Sequence, residues 1–212
     1  MRFREIDELT RRDHSRLLET DRCFYAWEYT SGTAEGYNYS EENSLIMNLK
    51  KHPRFRGKPQ VWQYKRRAIQ RSAKFLAEAI NHKWLQTSTL VPVPPSKAPD
   101  HAEYDDRMLQ VCTSIPVDFQ LDVRELVYQT QSLHASHGEG GRHSVEDLLN
   151  VYAINEEVAV PSPSSIAVVD DVLTTGAHFR AMHTILTTRF PDVEVIGCFV
   201  ARRVLPHDEW DF

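Results

Sequence analysis

Apolar residues recur along the chain in two rhythms. Between about residues 60 and 84, Trp62, Ile69, Ala73, Leu76 and Ile80 follow at steps of 7, 4, 3 and 4, the spacing of one helical face. Lys65, Arg66, Arg67, Arg71 and Lys74 fall among them. They are expected to form a solvated basic face or, as the alternative, a surface for a polyanion. Upstream, Leu45, Ile46 and Leu49 share a helical face behind Ser40, whose hydroxyl suits a helix N-cap. Pro53 and Gly57 interrupt that pattern.

From residue 86 onward short β-branched runs take over. Residues 89–93 read as a buried strand stopped by Pro94 and Pro95, which cannot both continue a ladder. Residues 115–119 and 125–129 are further strand candidates, and 151–154, 166–169 and 193–200 complete the set. Ser144 and Asp147 form a capping-box pair before a short helix with Leu148 and Leu149. Residues 177–189 place Phe179, Met182 and Leu186 on one helical face. Strand, helix and strand with short links make a βαβ unit, so the sheet is expected to be parallel. Residues 130–143, rich in glycine and histidine and poor in apolar side chains, read as a functional or disordered loop.

Composition bounds this picture. At 212 residues, and roughly 150 residues per domain, one decorated domain is expected. Residues 1–85 form its helical N-terminal part and 86–212 its α/β core. The charges sum to 25 − 30 = −5, which argues against a surface built to coat nucleic acid and makes nucleic acid an unlikely direct substrate. No run reaches the roughly 18 apolar residues of a membrane helix. The first residues lack the apolar segment of a secretory signal, so a cytoplasmic protein is expected. Cys23, Cys112 and Cys198 are far apart and form no CxxC, which points to reduced, buried thiols and not to zinc.

The chemistry gathers in one segment. Ile166-Ala167-Val168-Val169 places a strand inside a sheet, and Asp170 and Asp171 follow where it is expected to end. In an open α/β sheet, ligands bind at the carboxyl ends of the strands. Thr174, Thr175 and Gly176 then open a helix whose free N–H groups and hydroxyls can surround a phosphate. Carboxylates for sugar hydroxyls beside a phosphate cradle match the layout of a ribose 5-phosphate.

The run VVDDVLTTG resembles the phosphoribosyl-pyrophosphate (PRPP) signature of the type I phosphoribosyltransferases. Within that superfamily the chain is most similar to the competence-protein ComF group. Leu90-Val91-Pro92-Val93-Pro94 resembles the group's VPVP segment, Arg107 with Gln110 its RGxNQ motif, Arg142 to Asn150 its Arg-rich segment, and Lys50-Lys51 its LKY motif. The group's cysteine zinc ribbon is absent, the RGxNQ glycine is missing, and His178 replaces the last Thr or Ser of the phosphate loop.

The resemblance implies an α/β fold: a type I phosphoribosyltransferase-like, Rossmann-type parallel sheet flanked by helices, with an N-terminal helical hood. It implies Mg²⁺-dependent transfer of a phosphoribosyl group from PRPP to a nitrogenous acceptor with release of pyrophosphate. The eroded motif keeps open a non-catalytic PRPP- or nucleotide-sensing module, linked to DNA uptake, repair or phage defence. By the same resemblance Asp170 and Asp171 would contact the ribose hydroxyls directly or through Mg²⁺, and Thr174, Thr175, Gly176 and Ala177 would hold the 5′-phosphate. His178 would donate to that phosphate or cap the helix. Ser96, Lys97 and Arg107 would meet pyrophosphate. Arg142, with His134 and His137 nearby, would belong to a closing loop, Arg142 contributing to catalysis and His137 to PRPP binding. Trp62, Tyr64, Trp84 and Trp210 are candidates to stack a base, and a homodimer is compatible with the superfamily.

Overall fold

The computed structural model describes residues 2–98, 100–132 and 143–205. Their architecture is mixed α/β, with a mostly parallel sheet between two helical layers. In chain order come β1 (Arg4–Glu5), α1 (Glu8–Arg11), β2 (Cys23–Thr30), α2 (Glu41–Leu49), α3 (Pro59–Ala79), α4 (His82–Leu85) and β3 (Thr89–Pro92). Then follow α5 (Arg107–Thr113), β4 (Asp122–Val123), β5 (Val127–Gln129), α6 (Val145–Leu149), β6 (Tyr152–Ile154), β7 (Ser165–Leu173), α7 (Ala177–Arg189) and β8 (Glu194–Val204). The main sheet has six strands in the order β1-β2-β8-β7-β3-β4, and β5 pairs with β6 in a separate antiparallel ladder. Only β1 runs antiparallel in the main sheet.

Local chemistry accounts for most boundaries. Ser40 caps α2 by accepting from the Asn43 N–H, and Ser144 and Asp147 form the expected capping box on α6. The long helix stops at Ala79, because Ile80 turns extended and Asn81 caps a separate short helix, so the span expected to reach 84 is two helices. Residues 115–119 form no strand. The chain leaves α5 through the apolar side chain of Ile115 and regains the sheet only at β4, while 125–129 contributes β5 to the side ladder.

The N-terminal segment is not wholly helical. Its run from Cys23 to Trp27 is almost entirely buried and pairs in parallel with β8, from Cys23 opposite Gly197 to Thr30 opposite Val204. Residues buried on both faces carry no helical period, which is why the pattern hides this strand. Lys65 also departs from the basic face assigned to α3. Arg66, Arg67, Arg71 and Lys74 are exposed, but Lys65 is 1% exposed.

The core has two halves. α2, α3 and α5 cover one sheet face, where Ile69, Leu76 and Val111 meet Ala167, Val169 and Val200. α6, α7 and the β5–β6 ladder cover the other, where Leu148, Phe179 and Met182 meet Ile166, Val168 and Phe199. Gly197 lies where β8 and α7 approach. A Cβ there would stand 2.6 Å from a Phe199 ring carbon and 3.0 Å from both Cys23 Sγ and a Phe179 ring carbon. Gly197→Ala is expected to lower unfolding free energy by about 1–3 kcal/mol through overpacking. A urea melt reads this as a lower midpoint at unchanged slope; an unmoved midpoint would refute the close fit of α7 on β8.

Candidate functional site

The site arises where strand connections diverge. From β3 the chain passes through α5 to β4 on one side, and from β7 through α7 to β8 on the other. The two helices lie on opposite sheet faces, so the loops after β3 and β7 separate and leave a crevice at the carboxyl ends, the topological switch point of an open α/β sheet. β7 also outruns its neighbour. The ladder to β3 ends with Pro92 opposite Val169 and a last bond from the Val93 N–H to the Val169 carbonyl at 3.0 Å, whereas β8 accompanies β7 to Leu173. Pro94 and Pro95 cannot donate a further bond. The strand therefore does not end before the acidic pair, as the sequence suggests. Asp170 and Asp171 lie inside β7, beyond the end of β3.

Adjacent residues of a strand point to opposite faces. Asp171 turns toward α5 and α2, and Asp170 follows Ile166 and Val168 toward the face of α7. Their environments differ accordingly. Asp171 is buried, and Arg107 grips its Oδ2 through Nε at 2.7 Å and Nη2 at 2.6 Å, while Lys50 Nζ stands 3.1 Å from Oδ1. Burial opposes its charge, but Lys50 and Arg107 together outweigh burial and hold the carboxyl well below the usual range. Among the described residues no cation pairs directly with Asp170; its Oδ1 accepts from the Asp171 N–H at 2.8 Å. Burial, and then the Asp171 charge, push it up to about 7. Arg107 keeps its proton firmly, because the Asp171 and Asp105 carboxylates together exceed the cost of burial.

The turn after β7 is braced from the N-terminus. His14 Nδ1 bonds the Thr174 carbonyl, and since a carbonyl only accepts, Nδ1 carries the proton. The Arg16 N–H donates to the Thr175 carbonyl at 2.8 Å, and Arg180 of α7 pairs with buried Asp21 at 2.7 Å. Gly176 has φ +89° against Leu17, whose Cδ2 would lie 2.7 Å from an added Cβ, so both conformation and space call for glycine. The Thr174 and Thr175 carbonyls are thus engaged by residues 14–16. Thr174 and His178 line the crevice. Gly176 and Ala177 are buried behind them, and Thr175 Oγ1 accepts from the Ala177 N–H at 3.4 Å. His178 Nδ1 meets the Tyr152 hydroxyl at 2.7 Å, and burial lowers the ring to about 4, so His178 is neutral near pH 7.

The crevice encloses about 240 Å³. Its other rim is the loop after β3, where Lys97 and Ser96 line it beside Arg107. The Ser96 carbonyl accepts from Gln129 Nε2 at 2.9 Å, which ties this loop to β5. Asp170, Asp171, Thr174, His178, Ser96, Lys97 and Arg107 are thus brought together. Lys50, Glu103 and Asp105 also line the crevice. Of these, Lys50 belongs to the LKY-like pair but drew no role from sequence, and the two acids drew no attention. Gln110 instead turns to Asp106, at 2.7 Å. Trp62, Tyr64 and Trp84 lie outside the crevice lining. Arg142, His134, His137 and Trp210 lie outside the described residues. Among the described residues, no group of three or more His, Cys, Asp or Glu could hold a metal ion, and no helix is long and apolar enough to cross a membrane.

No protein-family model matches the chain, and no curated protein matches it. Among solved structures, the chain is similar to a hypoxanthine phosphoribosyltransferase from Staphylococcus aureus, with 18% identity and a TM-score of 0.37 over 64% of this chain and 72% of that one. A likeness of that extent leaves fold and site to stand on the geometry above.

The two acids predict opposite pH effects. The Asp170 pKa is raised on folding, so between about pH 4 and pH 7 the unfolded chain releases this proton first and the residue increasingly opposes folding. Asp170→Asn is expected to leave the melting temperature near that of wild type at about pH 4 and to raise it at about pH 8. Asp171→Asn, which removes a carboxylate with a lowered pKa, is expected to lower it at about pH 8, with the deficit shrinking under acid. Equal shifts in both variants at both pH values would overturn the asymmetry.

Proposed function

We propose that the crevice binds PRPP and that the protein is a phosphoribosyltransferase-like protein, transferring the phosphoribosyl group to a nitrogenous acceptor with release of pyrophosphate. One observation carries the reading. An acidic pair on β7, a Thr-Thr-Gly turn opening α7, and the cations Lys97, Arg107 and Lys50 line or border one crevice at the sheet's switch point. In this reading the 5′-phosphate meets the helix start at Thr174 to His178, where backbone N–H groups favour an anion. The diphosphate lies toward Lys97 and Arg107, whose planar guanidinium suits bidentate binding of phosphate oxygens. Asp170 is the carboxylate open to the sugar hydroxyls.

The acidic pair does not by itself suit a resident Mg²⁺ site. The two side chains leave β7 on opposite faces, and both Asp171 oxygens are held by cations. Mg²⁺, as a hard cation with a preference for phosphate oxygens, would arrive on the PRPP diphosphate as part of the substrate. The protein's own contribution is then positioning of the ribose and charge stabilisation of departing pyrophosphate.

A second reading is favoured by the same clamp. With Asp171 engaged by Lys50 and Arg107, the crevice also suits a module that binds PRPP or a nucleotide without turnover and signals to a partner. Calorimetric titration of Mg²⁺–PRPP is expected to show binding to wild type that disappears in Asp170→Asn/Asp171→Asn. Pyrophosphate release with any nitrogenous acceptor selects the enzyme, and binding without release selects the sensor. Absence of binding to folded wild type would refute both.

A further inference from the structure

Lys65 is a buried ammonium for which sheet packing gives no reason. It lies on the stripe of α3 that continues through Ile69, Ser72 and Leu76, all buried against the core. An apolar side chain of similar length would suit that stripe, and exchanging buried charges for apolar groups is often neutral or stabilising. Yet all three donors of Lys65 are used. Nζ donates to the Leu49 carbonyl at 2.8 Å, the Lys51 carbonyl at 3.0 Å and Asp105 Oδ2 at 2.7 Å. Burial draws its pKa down, with the Asp105 carboxylate opposing that shift.

The positions of those acceptors are informative. Leu49 and Lys51 flank Lys50, and Asp105 stands two residues before Arg107. Lys50 and Arg107 are the two cations that meet on Asp171. Asp105 Oδ2 is itself shared, since it also pairs with Arg107 Nη1 at 2.9 Å, while buried Asp105 Oδ1 has no hydrogen-bond partner among the described residues. One ammonium therefore fixes the backbone on both sides of one crevice cation and the carboxylate that steadies the other. Arg107 Nε and Nη2 are left to point at Asp171.

We propose that Lys65 is a positioning residue that aims both Lys50 and Arg107 at Asp171. Lys65 does not line the crevice; it acts through the end of α2 and through Asp105. This arrangement holds whatever occupies the crevice, and its consequence for PRPP rests on the function proposed above.

The test reads Arg107 directly. In ¹⁵N-labelled full-length protein, the Arg107 Nε–H resonance is assigned by its loss in Arg107→Lys, and its exchange with water is measured. Lys65→Met is expected to speed that exchange about tenfold or more, the scale of losing support for one charge-assisted hydrogen bond, although Arg107 and Asp171 are both retained. Lys65→Gln, which keeps donors at this position but removes the charge, carries the test if the methionine variant does not fold. A Lys65 that merely braced α3 would lower the melting temperature and leave Arg107 exchange as in wild type; that result would overturn the proposal. Mg²⁺–PRPP titrated into the same variants is expected to bind about tenfold more weakly. If wild type fails to bind PRPP, the functional reading falls, while the exchange measurement still decides the role of Lys65.

Discussion

The crevice depends on a difference in length between two neighbouring strands. β7 keeps β8 beside it to Leu173, but on its other side β3 ends at Pro92. Past that point β7 has a partner on one edge only. The backbone stays extended and ordered by the β8 ladder, and the side chains gain access to open space. Two carboxylates can stand there without lying in the middle of a closed sheet, where desolvation would be prohibitive. Had β3 continued, Asp170 and Asp171 would both be flanked by strands; had β8 stopped as well, the acids would sit on an unsupported loop.

From this placement follows an unequal division of charge. Adjacent acids repel, and the pleat resolves the conflict by sending them to opposite faces. The face of α2 and α5 supplies Lys50 and Arg107, so Asp171 is neutralised where it stands. Among the described residues Asp170 pairs with no equivalent cation, and burial with the Asp171 charge raises its pKa to about 7. The site thus contains one carboxylate committed to structure and one whose charge remains available.

The cations have their own support. Arg107 is joined to Asp105, and Asp105 to the buried Lys65, so the clamp on Asp171 is anchored in the packing of α3 against α2 and α5. On the other sheet face, the turn at Thr174–Gly176 is held by His14, Arg16 and Leu17 and through Asp21 to Arg180. Residues from the first part of the chain therefore hold both halves of the site: α2 and α3 beneath the acid clamp, residues 14–21 behind the Thr174–Gly176 turn.

Local sequence was enough for the features that arise from contiguous residues. The apolar run before Asp170, the helix from Ala177 to Arg189, the caps at Ser40 and Ser144 and the prolines that stop β3 follow from short-range sterics and hydrogen bonding, which act within a few residues. Lys65 was also within reach. It precedes Ile69 by four residues and so shares its helical face, but the basic residues around it suggested a solvated surface. β2 was hidden because a strand buried on both faces has no alternation to detect. Only the tertiary structure decided that the two aspartates face opposite ways, that Lys50 and Arg107 meet on one of them, and that a segment near residue 14 braces a turn near residue 175. Those relations join residues up to 160 positions apart in the chain, and their energies depend on distance and burial, which composition and spacing do not contain.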